Sequence, residues 1–277
     1  TGPGRGAALM ISSSPAPTTA ELGPGRGLRW WREVLLVVVF YLIYSWIRNQ
    51  FGSASVSADT AFANAERVID LEKGLGLYIE ADIQSWFVDI GWFLRATNIF
   101  YGTAHFLVTA FALIWLYRRH PQDYGRWRTI GLTTTALALF GFAVFALMPP
   151  RLLGDCGDLG ACVASPYVDT LAVHGGWWSF DSAAVESISN QYAAMPSLHI
   201  AWAFWSYLVL APRLRSPLGR VLISIYPWLT LFAIIVTANH YWIDAVGGAV
   251  ALAGGYFGGT WLHNRIQGHT AARHAHT

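Results

Sequence analysis

An all-α, polytopic membrane fold is what this sequence predicts, on three observations. Of its 277 residues 54% are hydrophobic and 12% charged, the mean hydropathy is +0.38, and the apolar residues gather into six long runs. Soluble domains carry roughly a quarter charged residues, so a chain of this composition belongs in a bilayer. The net charge of +2 is small and the arginines are scattered, which excludes nucleic acid as an expected partner.

Residues 1–27 are rich in Gly, Pro, Ser and Thr and contain no apolar h-region; they are expected to form a disordered tail. A spanning helix needs about 20 mainly apolar residues, and six stretches approach that length: 34–46, 98–117, 130–148, 198–210, 221–238 and 243–262. They define a six-transmembrane-helix bundle within a catalytic domain of residues 28–266, followed by a second tail over 267–277. The first and fourth stretches are short and must borrow flanking residues. In the second tail His269, His274 and His276 lie among Ala and Thr, and no metal is expected there.

The connection 53–97 is too long and too charged to lie in lipid, yet Ile79, Ile83, Trp86, Phe87 and Ile90 recur at helical spacing. Interfacial amphipathic helices over the outer mouth of the bundle are expected. The two cysteines, Cys156 and Cys162, both fall in the outer loop 149–194, where an oxidising compartment would permit a disulfide. Gly254-Gly255 and Gly258-Gly259 lie within an apolar run without the Lys-Ser/Thr of a phosphate-binding loop, so close helix packing explains them.

Orientation follows from the basic residues. With the N- and C-termini cytoplasmic, thirteen of the eighteen Lys/Arg residues fall on the inner side, as the positive-inside rule requires. The same assignment brings His199, at the start of the fourth helix, and His240, at the end of the fifth, to one extracytoplasmic face of the cell membrane.

His240 and Asp244 stand four apart, so on a helix the carboxylate can accept a hydrogen bond from one ring nitrogen and leave the other nucleophilic. His199 can then serve as general acid and base. Ser197 and Asn239 offer neutral donors to phosphate oxygens, and Arg151, after the third helix, offers a guanidinium suited to phosphate. His105, inside the second helix, is either a polar contact between helices or a substrate contact. One such histidine in a membrane is a common packing feature; two histidines, a carboxylate at helical offset and a Pro-Ser-x-His turn on one face point to chemistry.

At Pro196-Ser197-Leu198-His199 and His240-Tyr241-Trp242-Ile243-Asp244 the chain resembles the type 2 phosphatidic-acid phosphatase superfamily, whose second motif is Pro-Ser-Gly-His and whose third ends in His, three residues, Asp. Leu198 in place of Gly, with Ala193-Ala194-Met195 ahead of it, is more similar to the branch containing inositol phosphorylceramide synthase. The resemblance covers roughly residues 60–262, including Asn98-x-x-Tyr101 and Met148-Pro149-Pro150-Arg151-Leu152, and adds Tyr101 and Tyr241 as candidate substrate contacts. It implies that His240 forms a phosphohistidine, Asp244 orients it and His199 is the acid/base, with no cofactor or metal. Ala233 and Ile234 stand where the superfamily has Ser-Arg, and its basic first motif is missing, so the phosphate clamp must be built differently.

The expected function is transfer of a phosphoryl or phospho-alcohol group from a lipid phosphoester to an alcohol acceptor such as inositol, or to water. A plain lipid-phosphate phosphatase is the near alternative and a non-enzymatic lipid transporter the distant one. Haloperoxidase chemistry on bound vanadate, known on soluble folds with the same site, is disfavoured by six apolar spans.

Overall fold

In a computed structural model, residues 29–51, 56–176 and 191–275 are described; the expected tail 1–27 lies outside them. Among these residues the architecture is all-helical and without β-strands. Nine α-helices follow in order: α1 (Trp30–Phe51), α2 (Ala58–Leu75), α3 (Glu80–Ser85), α4 (Gly91–Arg119), α5 (Pro121–Val144), α6 (Thr170–His174), α7 (Leu198–Leu210), α8 (Pro217–Val236) and α9 (Trp242–Ala275).

Local chemistry sets many of their ends. Ser57 accepts the Thr60 N–H at 3.3 Å to start α2, and Gly76, at φ 68°, closes it in the left-handed region that glycine enters without penalty. Only His120 separates α4 from α5, because Pro121 occupies the first position of α5, where its missing N–H costs nothing. Asp169 accepts the Leu171 and Ala172 N–H groups and starts α6, and Ser216 followed by Pro217 starts α8.

Helices α4, α5 and α8 are long and apolar enough to cross a membrane. Much of their apolar surface faces outward: Phe106, Leu107, Phe111 and Ile114 on α4, and Val221, Leu222, Ile225 and Trp228 on α8, are all exposed. An exposed belt of this size is what a lipid-facing surface requires and what a soluble monomer avoids. Helix α7 is apolar but has 13 residues. Of the six expected spans, therefore, three meet the length and hydropathy requirement among the described residues. Helix α9 is diluted by the glycines that let it approach α5. A side chain at Gly255 would sit 2.8 Å from the Thr134 Cα, and one at Gly259 2.7 Å from the Ile130 Cα.

The element boundaries differ from the expected ones for a physical reason. Helix α4 begins at Gly91 and α5 at Pro121, each several residues before its apolar run, since polar and aromatic residues continue the backbone hydrogen bonding beyond the hydrocarbon stretch. In the 53–97 connection the expected helical stretch is short. Helix α3 spans only Glu80–Ser85 and buries Glu80 and Gln84, whereas Ile79 and Trp86 are exposed. Main-chain groups decide this: Gln84 Nε2 donates to the Val168 and Val236 carbonyls while its Oε1 accepts the Val168 N–H.

Helix α2 packs Ala61, Ala65 and Val68 into a cluster with Leu147, Met148, Tyr192 and Tyr241, and Asn64 donates to the Ala146 carbonyl at 2.8 Å. The α2–α3 region therefore covers the end of the bundle where α5 stops and α7 and α9 start. At the opposite end, Glu33 of α1 pairs with Arg128 of α5 at 2.6 Å, and Arg213 pairs with Asp123 at 2.7 Å.

The α5–α9 contact gives a discriminating test. Gly255→Ala should destabilise the protein by about 1–3 kcal/mol, since the clash with Thr134 backbone outweighs a helix-propensity gain of about 1 kcal/mol. Gly258→Ala, whose added carbon would meet only the Thr133 methyl at 3.7 Å, should be neutral or slightly stabilising. Thermal unfolding in detergent measures both.

Candidate active site

The two sequence motifs meet through the main chain. The Ser197 N–H donates to the Asp244 carbonyl at 2.9 Å, which ties the turn before α7 to the first turn of α9. Glycine makes this approach possible: a side chain at Gly248 would overlap the Ser197 carbonyl oxygen, and one at Gly247 would lie 2.9 Å from the Met195 sulfur.

His240 sits in the short turn between α8 and α9 and is 3% exposed. Its Nδ1 lies 2.9 Å from the Ala194 carbonyl oxygen and 3.2 Å from Asp244 Oδ2. A carbonyl oxygen can only accept, so Nδ1 carries the proton and Nε2 keeps the lone pair. Ser197 Oγ lies 3.5 Å from that Nε2, at the outer limit of a hydrogen bond. Asp244 is fully buried, and its Oδ2 also accepts the Tyr241 N–H at 2.9 Å. The carboxylate therefore holds both the ring and the backbone beside it.

The His199 ring, on the first turn of α7, is 5.6 Å from the His240 ring between centroids. Tyr101 of α4 stacks on it at 4.2 Å and 20°. His105, one turn further along α4, meets it edge-on at 4.2 Å and is anchored through Nδ1 to the Tyr101 carbonyl at 3.0 Å. Three imidazoles and a phenol thus adjoin at one place. Phe100, Ala104, Thr230, Ala233 and Ile234 close around Tyr101, His105 and His199 between α4 and α8 and leave no water-sized cavity there.

Arg151 approaches the same turn, but as part of a network. Its Nε donates to Asn239 Oδ1 at 3.0 Å and its Nη1 to Asp169 Oδ2 at 2.9 Å, while its Nη2 donates to Gln191. Its backbone N–H donates to the Ala238 carbonyl at 2.9 Å. Asn239 is likewise engaged, with Nδ2 donating to Thr237 Oγ1 at 2.8 Å. Ala238 adopts φ 51°, the left-handed conformation that L-residues avoid, and the bonds on either side of it hold it there. Tyr241 contributes its main chain to the site, while its fully buried ring packs in the cluster under α2.

The structure thus brings together His199, His240, Asp244, Ser197, Tyr101 and His105, with Arg151 and Asn239 in the adjoining network. Cys156 and Cys162 are disulfide-bonded in the loop between α5 and α6. No group of three or more His, Cys, Asp or Glu able to hold a metal occurs among the described residues. Sequence reasoning missed Asp169 and Gln191. Their signal was weak: an Asp-Thr pair opening a short helix, and a glutamine 40 residues from its arginine.

A family model described as the PAP2 superfamily matches residues 66–257, more than half of the chain. No curated protein and no solved structure matches it.

Removing Asp169 tests the network. Asp169→Ala deletes the partner of a 9% exposed guanidinium and the N-cap of α6 together, and should cost about 2–4 kcal/mol. Asp169→Asn, which keeps a cap acceptor, should cost less. Unfolding midpoints of the two variants against the parent provide the measurement.

Proposed function

Because the chain belongs to the PAP2 superfamily, a family of phosphatases acting on phosphoesters, we propose that it is a membrane-embedded lipid phosphotransferase or phosphatase that works through a phosphohistidine on His240. One observation carries the reading: Nδ1 of His240 is turned to the Ala194 carbonyl and Asp244, which leaves Nε2 as a free nucleophile in a buried site. The proposed protein spans the bilayer six times, with both termini cytoplasmic and the site on the extracytoplasmic side.

In the first step His240 Nε2 attacks phosphorus, a P–N bond forms, and the P–O bond to the lipid breaks. His199 delivers a proton to the departing oxygen. Positive charge that develops on the His240 ring is stabilised by the buried Asp244 carboxylate. In the second step His199 takes a proton from water or an alcohol, whose oxygen attacks phosphorus and releases His240. Water gives a phosphatase and an alcohol such as inositol gives a transferase; the Pro196-Ser197-Leu198-His199 motif favours the transferase. Ser197, whose hydroxyl lies 3.5 Å from His240 Nε2, and Asn239, held by Arg151, are suited to the phosphoryl oxygens. Tyr101 and His105 complete the proposed substrate-facing set. The exposed apolar residues along α4 and α8 suit a protein that meets its substrate in the bilayer, so the substrate is a lipid phosphoester.

Rapid quenching with a ³²P-labelled lipid phosphate should trap an alkali-stable, acid-labile label on the wild-type protein. His240→Ala should carry no label and lose turnover by at least 10³-fold, about 4 kcal/mol of barrier. His199→Ala should slow both formation and loss of the label. Full turnover by His240→Ala would exclude the phosphohistidine route. If only inorganic phosphate is released when inositol and other alcohols are supplied, the protein is a phosphatase and the transferase reading is lost.

A further inference from the structure

Three consecutive amides follow His240, and each is received by a carboxylate. The Tyr241 N–H goes to Asp244 Oδ2 at 2.9 Å, the Trp242 N–H to Glu80 Oε1 at 3.1 Å and the Ile243 N–H to Glu72 Oε1 at 2.8 Å. These N–H groups open α9 and have no main-chain acceptor within it. Asp244 is local, but Glu72 and Glu80 come from the end of α2 and the start of α3, more than 160 residues earlier.

Both glutamates are fully buried. Their second oxygens, Oε2 of each, receive no donor among the described residues, yet the two side chains lie within hydrogen-bonding reach of one another. Two carboxylate oxygens only accept, so that contact is bonding when one proton lies between them and repulsive when none does. One proton held between the two carboxyl groups would turn that contact from repulsion into a hydrogen bond.

The groups facing the pair reinforce this. Asp244 of α9 adds a further negative charge. The phenols of Tyr78 and Tyr167, from the α2–α3 turn and the outer loop, and of Tyr241, before α9, surround it, while the Lys73 ammonium lies over the Tyr78 ring at 5.1 Å. Burial first, and then the Glu80 hydrogen bond, push the Glu72 carboxyl up to about 9.

We propose that Glu72 and Glu80 are positioning residues: they share one proton and, in that half-protonated form, clamp the Trp242 and Ile243 amides so that His240 and Asp244 stay in register at the head of α9. Loss of the proton sets two buried anions against each other and loosens the turn that carries His240. The α2–α3 region is thereby a pH-sensitive brace for the site as well as a cover over it. Its effect on turnover rests on the phosphohistidine reading above; the shared proton does not.

The sign of the pH dependence follows from linkage. An acid whose folded-state value lies above its unfolded one, here 4.5 rising to about 9, contributes stability that is full below pH 4.5 and lost as pH rises toward 9. In Glu72→Gln the carboxamide N–H₂ replaces the shared proton permanently while its oxygen still accepts Ile243. Glu80→Gln is the mirror variant. In the double variant two N–H₂ groups confront each other.

The test uses the full chain in detergent and two readouts from pH 5 to 10: the unfolding midpoint, and kcat and KM for phosphate release from a lipid phosphate. Relative to wild type, the Glu72→Gln midpoint should climb steadily between pH 5 and 9. Normalised to its own value at pH 6, its kcat should exceed that of wild type at least threefold at pH 9.5, with KM unchanged. The double variant should melt lower at every pH and lose at least tenfold in kcat.

Glu72→Gln curves that run parallel to wild type in either readout overturn the proposal. So does failure of both single variants to fold, because a neutral carboxamide must be able to stand in for the protonated carboxyl. If wild type transfers the group neither to water nor to a supplied alcohol, the phosphohistidine reading and the link to turnover both fall. The melting curves then still decide the shared proton.

Discussion

Close approach of α9 to the segment before α7 is the constraint on which the site depends. The bond from the Ser197 N–H to the Asp244 carbonyl can form only because Gly247 and Gly248 present no side chain to Met195, Pro196 and Ser197. The same helix repeats the device lower down, where Gly255 and Gly259 let it lie against α5. Lipid offers no hydrophobic force between helices, so backbone proximity and hydrogen bonds must hold them together. One face of α9 therefore serves both bundle packing and the registration of His240 with His199.

Polar groups drawn into the apolar interior have to find partners there, since no water is available to them. The chain meets this by assembling partners from distant segments. Asn98 donates to the Thr170 and Gly175 carbonyls and accepts the Thr170 hydroxyl, Gln84 bridges residues 168 and 236, and Arg151 joins Asn239, Asp169 and Gln191. Each of these links connects the region around the site to α4, to the α2–α3 region or to the outer loop. The outcome is a turn at 237–241 fixed from several directions, with an imidazole whose tautomer follows from the acceptors around it.

Arg151 illustrates how such a network engages a candidate residue. Read alone, a guanidinium just beyond a helix looks like a phosphate clamp; in place, its Nε and both terminal nitrogens are committed to neutral amides and one carboxylate. Its link to the site runs through Asn239, whose Oδ1 accepts from Nε at 3.0 Å. Helix α3 makes a parallel point: its spacing of Ile79, Ile83, Trp86 and Phe87 is that of a surface-seeking helix, yet unsatisfied main-chain groups at residues 168, 236 and 242 draw Gln84 and Glu80 inward.

Composition, the six apolar runs and two short motifs were enough to identify a helical membrane protein and to select His199, His240 and Asp244, because hydropathy and i, i+4 spacing are local properties that the backbone translates directly into structure. Gly255 and Gly259 were legible for the same reason, a small residue in an apolar helix having few other uses, whereas Gly258 meets only the Thr133 methyl at 3.7 Å. What depended on tertiary structure is everything that joins segments far apart in the chain. The Ala194 carbonyl that sets the His240 tautomer, the Tyr101 and His105 rings around His199, the Asp169–Arg151 pair and the Glu72–Glu80 carboxyls over the head of α9 have no periodicity to reveal them. Their partners are chosen by which backbone and side-chain groups would otherwise be buried unsatisfied, and that is known only once the helices are packed.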